Sequence, residues 1–272
     1  MLNPMLLLVP AAGYLIAATL AIWRQLRQTV GSTRVPLMLV WFSLGVHSIL
    51  LAARVWHTPA APLTGAREFT VVLALLLVVA YLLTARVLRK VGVGEVALVI
   101  AAVMLAVVAP TLAAVPPTAP SILANPWLLL HVPLCLLAYL MYALAGSAGA
   151  VYLIVSSLLK ARRPLALSGN LPTLDSLERF SHRMVEIGFP LLTAGIMAGM
   201  VWSHEVWGEL IPETPKQLLA LVTWGIYAAY FHARLARGVR GRFCAWLLVV
   251  GFAVVVAGLL VPLFTAGPHK FI

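Results

Sequence analysis

Apolar residues run along this chain in long blocks separated by short polar breaks. Eight blocks, at about 4–23, 36–53, 69–88, 94–114, 127–157, 185–203, 216–233 and 243–263, are each long enough to cross a hydrocarbon layer as a helix rising roughly 1.5 Å per residue. A bilayer admits only helices or a closed barrel, and uninterrupted runs lack the alternation a barrel needs. The pattern predicts an all-α, polytopic integral membrane bundle of about eight transmembrane helices, four in residues 1–126 and four in residues 127–272. Punctuation agrees with the blocks. Pro36 and Pro126 sit at span starts, and Pro116, Pro117 and Pro120 fall between the fourth and fifth, where continuing a helix would cost about 3 kcal/mol per proline.

Three blocks carry further detail. The fifth exceeds the hydrocarbon thickness, so it should tilt or project inward before Arg162-Arg163-Pro164 ends it. After the polar link from Ser168 to Pro172, LDSLERFSHR reads as a short amphipathic helix at the inner surface, with Asp175 and Glu178 resembling a helix-start box. Pro190 is expected to kink the sixth block and to shape a cavity near the loop that follows. Gly195-x-x-x-Gly199 and Gly146-x-x-Gly149 would permit close helix contact, inside the bundle or in a homodimer.

Composition removes the soluble alternatives: 62% of residues are hydrophobic, 10% are charged, and mean hydropathy is +1.02. The formal charge of +11 would suit nucleic acid if the arginines lay on one folded face, but they cluster in short loops beside apolar runs. Loops after the odd-numbered spans hold 15 of the 19 basic residues and the other side holds 4. That asymmetry predicts both termini outside. Met1 to Ile22 has no basic region ahead of its apolar run, Arg24 and Arg27 following it instead, so no cleavable signal is expected. Cys135 and Cys244 should fall near opposite faces, and neither sits in a CxxC or CxxCH pattern.

Candidate chemistry concentrates in two places. The connection within Met200 to Trp224 carries Trp202, Trp207, Trp224, His204 and three of the eight acids, Glu205, Glu209 and Glu213. An interfacial tryptophan belt accounts for such a loop without further function. The second feature is seven histidines. His47 lies inside the second span, His131 at the outer start of the fifth, His204 at the outer end of the sixth, His232 at the inner end of the seventh, and His269 beyond the eighth, with His57 and His182 in loops. A histidine in a bilayer helix usually faces a partner or a cavity, and the choice between a hydrogen bond to a neighbouring backbone and ligation of haem iron stays open from the residues alone. Motifs for nucleotide hydrolysis, serine hydrolysis or zinc proteolysis are absent, so no catalytic residue is predicted.

From His131 onward the chain resembles the cytochrome c assembly membrane family, the CcsA/ResC proteins and their HemX- and YpjD-like relatives. The stretches that carry the resemblance are His131-Val-Pro-Leu with Tyr139 following, LERFSHRMVEIGFPLLTAGIMAGMVW, TWGIYAAYFHARLARGVRGR and GPHKF. VHSILLAARVW is similar to the second span of YpjD-like members. The resemblance implies a membrane protein that handles haem in cytochrome c biogenesis or haem trafficking, with non-covalent haem b as the cofactor. By position it implies His131 and His269 as the outer axial ligands of the iron, His232 as the membrane histidine after the loop, and Trp202 and Trp207 as haem-facing aromatics; His47 is added here as a second internal ligand. The family loop reads approximately WGxxWxWDPKE, and this chain keeps Trp207, Gly208, Pro215 and Lys216 but has Ile211, Glu213 and Thr214 where the family has two tryptophans and an aspartate. That departure resembles the HemX/YpjD-like branch, and implies as the alternative a haem-free regulatory or scaffolding protein contacting a tetrapyrrole-synthesis enzyme or an assembly partner. A bacterial cytoplasmic (inner) membrane location, with lipid contact and no nucleic acid, follows on either reading. A transporter is the third reading, and the two halves lack an evident inverted repeat.

Overall fold

The computed structural model describes residues 3–26, 34–57, 66–87, 92–112, 125–163, 171–210 and 215–264. These form eight helices: α1 (Leu8–Leu26), α2 (Arg34–His57), α3 (Ala66–Val87), α4 (Val93–Val108), α5 (Pro126–Lys160), α6 (Leu174–Trp207), α7 (Pro215–Phe231) and α8 (Arg242–Phe264). Short 3-10 turns precede α1 and follow α4, and α7 continues as a π-helix over His232–Ala236. No strand occurs among the described residues. Seven of the helices are long and apolar enough to cross a membrane, and α3 is 22 residues long. The chain is a polytopic membrane helical bundle, as the apolar blocks predict.

Helix ends follow local side-chain chemistry. Asn125 caps α5, its Oδ1 accepting from the Trp127 N–H at 2.8 Å, with Pro126 in the first turn where a missing N–H costs nothing. Thr173 caps α6 through Oγ1, which accepts from the Ser176 N–H at 3.2 Å. Gly208 closes α6 at φ +77°, a left-handed conformation that favours glycine. The expected box is therefore not formed by Asp175 and Glu178. Asp175 pairs with Arg179 one turn on, and Glu178 turns inward to other partners.

The separate amphipathic helix expected at the inner surface is instead the first part of α6, which runs unbroken for 34 residues. Hydropathy drops over Asp175 to Arg183 because that stretch carries charged and polar side chains, while no glycine or proline between Leu174 and Ile187 interrupts the backbone. The helix also continues through Pro190, as α5 does through Pro133.

At the centre of the bundle is α5, packed against α6 and α8 over much of its length and against α3 and α4 as well. Around it, α1 packs on α2 and α4, α3 on α4, and α7 on α8 and α6. Small residues set these approaches. A methyl group on Gly149 would start 2.9 Å from the Ala245 carbonyl of α8, and one on Gly146 would meet Phe252 at 2.7 Å. Both Gly-x-x-x-Gly-like stripes are thus used inside one chain, Gly146 and Gly149 against α8, Gly195 and Gly199 against α5. In the same core Tyr142 of α5 and Tyr227 of α7 stack with ring centroids 3.6 Å apart and planes 6° from parallel.

Candidate functional site

Two polar clusters occupy opposite ends of the bundle. The first gathers around the start of α5 and the end of α6. His131 and Cys135 lie one turn apart on the same α5 face, and that face meets Gly195 and Gly199 of α6. His131 Nδ1 is 2.7 Å from the Gly195 carbonyl oxygen, and the Cys135 Sγ lies 3.7 Å from Nδ1 and 3.9 Å from Nε2. One turn beyond Gly199 stands Trp202, edge-to-face with Trp207 at 4.9 Å and 72°. The Trp202 Nε1–H is buried without a hydrogen-bond partner among the described residues. Asn125 donates from Nδ2 to Glu205 at 2.8 Å, tying the first turn of α5 to the last of α6, and Ser203 donates to the Glu209 carbonyl at 2.6 Å. His204 and Glu205 are exposed.

The second cluster lies where α5, α6, α7 and α8 meet at the other end, around Glu178. Its carboxylate accepts from Arg234 at 3.2 Å and from the Gly241 N–H at 2.9 Å. Tyr152, Ser181, Tyr230, Cys244 and Arg234 line the small cavity beside it. Close by, His182 contacts the Tyr230 hydroxyl at 3.5 Å and Glu186 at 3.3 Å. Glu186 in turn marks one end of an open groove of about 540 Å³ whose other walls are Phe189, Pro190, Thr193, Ala194, Met197 and Phe231.

Of the residues singled out from the sequence, His131, Trp202 and Trp207 come together at one end of α5 and α6. His269 lies outside the described residues. His232 opens the π segment and is exposed, next to Phe231 of the groove. His47 is elsewhere: fully buried, its Nδ1 3.3 Å from the Tyr14 hydroxyl, on a helix that packs on α1 and α3. The structure places His47 and His232 on different helices, α2 and the π continuation of α7, with the His47 Nδ1 against Tyr14 and its Nε2 buried without a hydrogen-bond partner among the described residues. No group of three or more histidine, cysteine or carboxylate side chains that could hold a metal occurs among the described residues. The Glu178 cluster escaped sequence reading because the carboxylate's partners, Arg234 and Gly241, lie 56 and 63 residues from it; the glycines at 238 and 241, both at positive φ, were its one local signal.

Comparison with known proteins adds a family match and partial relatives. A family model described as cytochrome C assembly protein matches residues 62–269. The chain is 49% identical over 98 residues to the cytochrome c biogenesis protein CcsA of Synechococcus elongatus, covering 36% of this chain and 30% of that protein. It is 34% identical over 151 residues to CcsA of Guillardia theta, covering 50% of each, and 47% identical over 98 residues to CcsA of Picosynechococcus, covering 36% and 29%. The chain thus spans between about a third and a half of the length of these curated relatives.

Proposed function

Because this chain belongs to the cytochrome c assembly protein family, we propose that it handles haem in cytochrome c biogenesis or haem trafficking, holding haem b non-covalently as cargo at the His131 end of the bundle. The observation that carries this reading is the state of His131. One ring nitrogen is engaged by the Gly195 carbonyl, and the other has, among the described residues, only a thiol beside it as a hydrogen-bonding group, a weak partner that leaves a nitrogen lone pair for iron. Trp202 and Trp207 supply aromatic surface at the same end. His269 is the second axial ligand by family spacing. Iron ligation there would hold the porphyrin at the membrane surface, where an acceptor protein can reach it. His47, with its Nε2 buried and without a hydrogen-bond partner among the described residues, stands apart from this end as the candidate for a separate internal position.

On this reading the His131 end faces outside, as do both termini, in a bacterial inner membrane. His232, exposed beside the open groove, is the residue suited to meeting haem from the inner side. The loop that has Ile211, Glu213 and Thr214 in place of tryptophan and aspartate favours the HemX/YpjD-like branch over CcsA itself. It also favours the second reading, a haem-free scaffold contacting a tetrapyrrole-synthesis enzyme or assembly partner. In that case changes in Leu171 to Arg183 should matter more than any histidine change.

The test is the absorption spectrum of the purified protein before and after dithionite, with haem quantified as its pyridine complex. A Soret band with sharp reduced bands, lost in His131→Ala, is expected. Unchanged haem content in that variant removes His131 as ligand, and no haem in the parent protein after growth with a precursor leaves the scaffold reading.

A further inference from the structure

We propose that Gly195 and Gly199 are positioning residues for His131, holding its ring as the tautomer protonated on Nδ1 so that Nε2 carries the lone pair. That the lone pair serves iron rests on the function proposed above; the tautomer does not. A backbone carbonyl oxygen can only accept, so the 2.7 Å contact between Nδ1 and the Gly195 oxygen requires the proton on Nδ1. In a neutral imidazole the second nitrogen is then unprotonated. The Cys135 thiol, 3.9 Å from Nε2, is too weak a partner to reverse that choice.

The two glycines do different work. A Cβ at position 195 would lie 2.8 Å from the Cys135 sulfur and 3.4 Å from its backbone nitrogen, so glycine there lets α6 come close enough for its carbonyl to reach the ring. A Cβ at position 199 would lie 2.7 Å from His131 Nδ1 and 2.8 Å from Cε1, in the space the ring itself fills. Helix packing alone is served by alanine in such small-residue stripes, whereas a slot for an imidazole is not. Glycine at 199 is therefore a requirement of the histidine as well as of the helix pair. Metal-ligating histidines characteristically donate their other N–H to a carbonyl or carboxylate, which fixes ring orientation and raises ligand basicity, and losing that partner costs about 10–100-fold in affinity.

The experiment uses the full chain in lipid nanodiscs with 15N-labelled histidine, haem-free, His131 being assigned by its loss in His131→Gln. The expected spectrum has a protonated Nδ1 and an unprotonated Nε2. Gly199→Ala should convert this to mixed tautomers and weaken binding of added hemin about 10–100-fold, while the melting profile stays cooperative. A folded wild-type protein with the proton on Nε2, or with rapidly exchanging tautomers, overturns the proposal, and this arm needs no variant to fold. Gly199→Ala that retains both the Nδ1 signature and parental hemin affinity overturns the role of that glycine. An Nδ1-protonated ring in a protein that takes up no hemin upholds the positioning and removes the haem reading alone.

Discussion

Removing the Glu178 carboxylate is the perturbation whose size follows most directly from the geometry. Its oxygens serve Arg234 at 3.2 Å and the Gly241 N–H at 2.9 Å, joining α6 to the π segment of α7 and to the start of α8. The side chains of Arg234 and Glu178 retain 10% and 17% of their exposure. Breaking a fully buried pair costs about 3–5 kcal/mol because the survivor is left charged and unsolvated. Water at the edge of this pair should reduce that to about 2–3 kcal/mol for Glu178→Ala, since exposed pairs fall towards 0–1 kcal/mol. Glu178→Gln keeps an acceptor for Gly241 and should lose roughly half as much, as a neutral hydrogen bond is worth about 1 kcal/mol. At about 2–4 °C per kcal/mol for a chain of this size, Glu178→Ala should lower the melting temperature in detergent by roughly 4–12 °C. Arg234→Met in the Glu178→Ala background should add little, with a coupling of at least about 1 kcal/mol in the double-mutant cycle. A shift within 1 °C of the parent, on the order of a few tenths of a kcal/mol by the same conversion, or strictly additive effects, would refute the inference that this pair ties the helices together.

Two other changes probe the bundle centre. Gly149→Leu should force α5 away from α8, because even a Cβ starts 2.9 Å from the Ala245 carbonyl; a loss of about 1–3 kcal/mol or more, read as lower yield of monodisperse protein, is expected, and unchanged yield and melting would contradict the close approach. Tyr227→Phe removes a buried hydroxyl that has no hydrogen-bond partner among the described residues while keeping the ring stacked on Tyr142, so stability should stay level or rise by about 1 kcal/mol; a fall in melting temperature would mean the hydroxyl is satisfied.

What could be read from the sequence was the part governed by local chemistry. Apolar blocks located every described helix because each must bury or expose apolar surface along its whole length, and Pro36 and Pro126 marked starts through a rule that acts within one turn. Hydropathy misread the start of α6, since it reports the medium around a residue rather than the backbone conformation: Asp175 to Arg183 is polar and helical at once. The contact between His131 and Gly195 joins residues 64 apart. Sequence spacing could flag each as unusual and not that they meet. His47 is a parallel case: a lone histidine in an apolar span invites a ligand role, while the hydroxyl its Nδ1 meets, Tyr14, is 33 residues away and not legible from spacing.

The five π-helical residues at the end of α7 have a consequence for how this chain tolerates insertions and deletions. A π segment holds one residue more than α geometry would use over the same length, and so offsets everything beyond it by one residue's rotation, about 100°. The lipid-facing register of Pro215–Phe231 and the inward aim of Arg234 at Glu178 are thus set separately, with the surplus residue acting as a clutch between them. Deleting His232 or Ala233 would shorten the chain by less than one per cent and leave its hydropathy profile intact. It would also engage the clutch, swinging the guanidinium out of line with its carboxylate while every apolar residue before it kept its place.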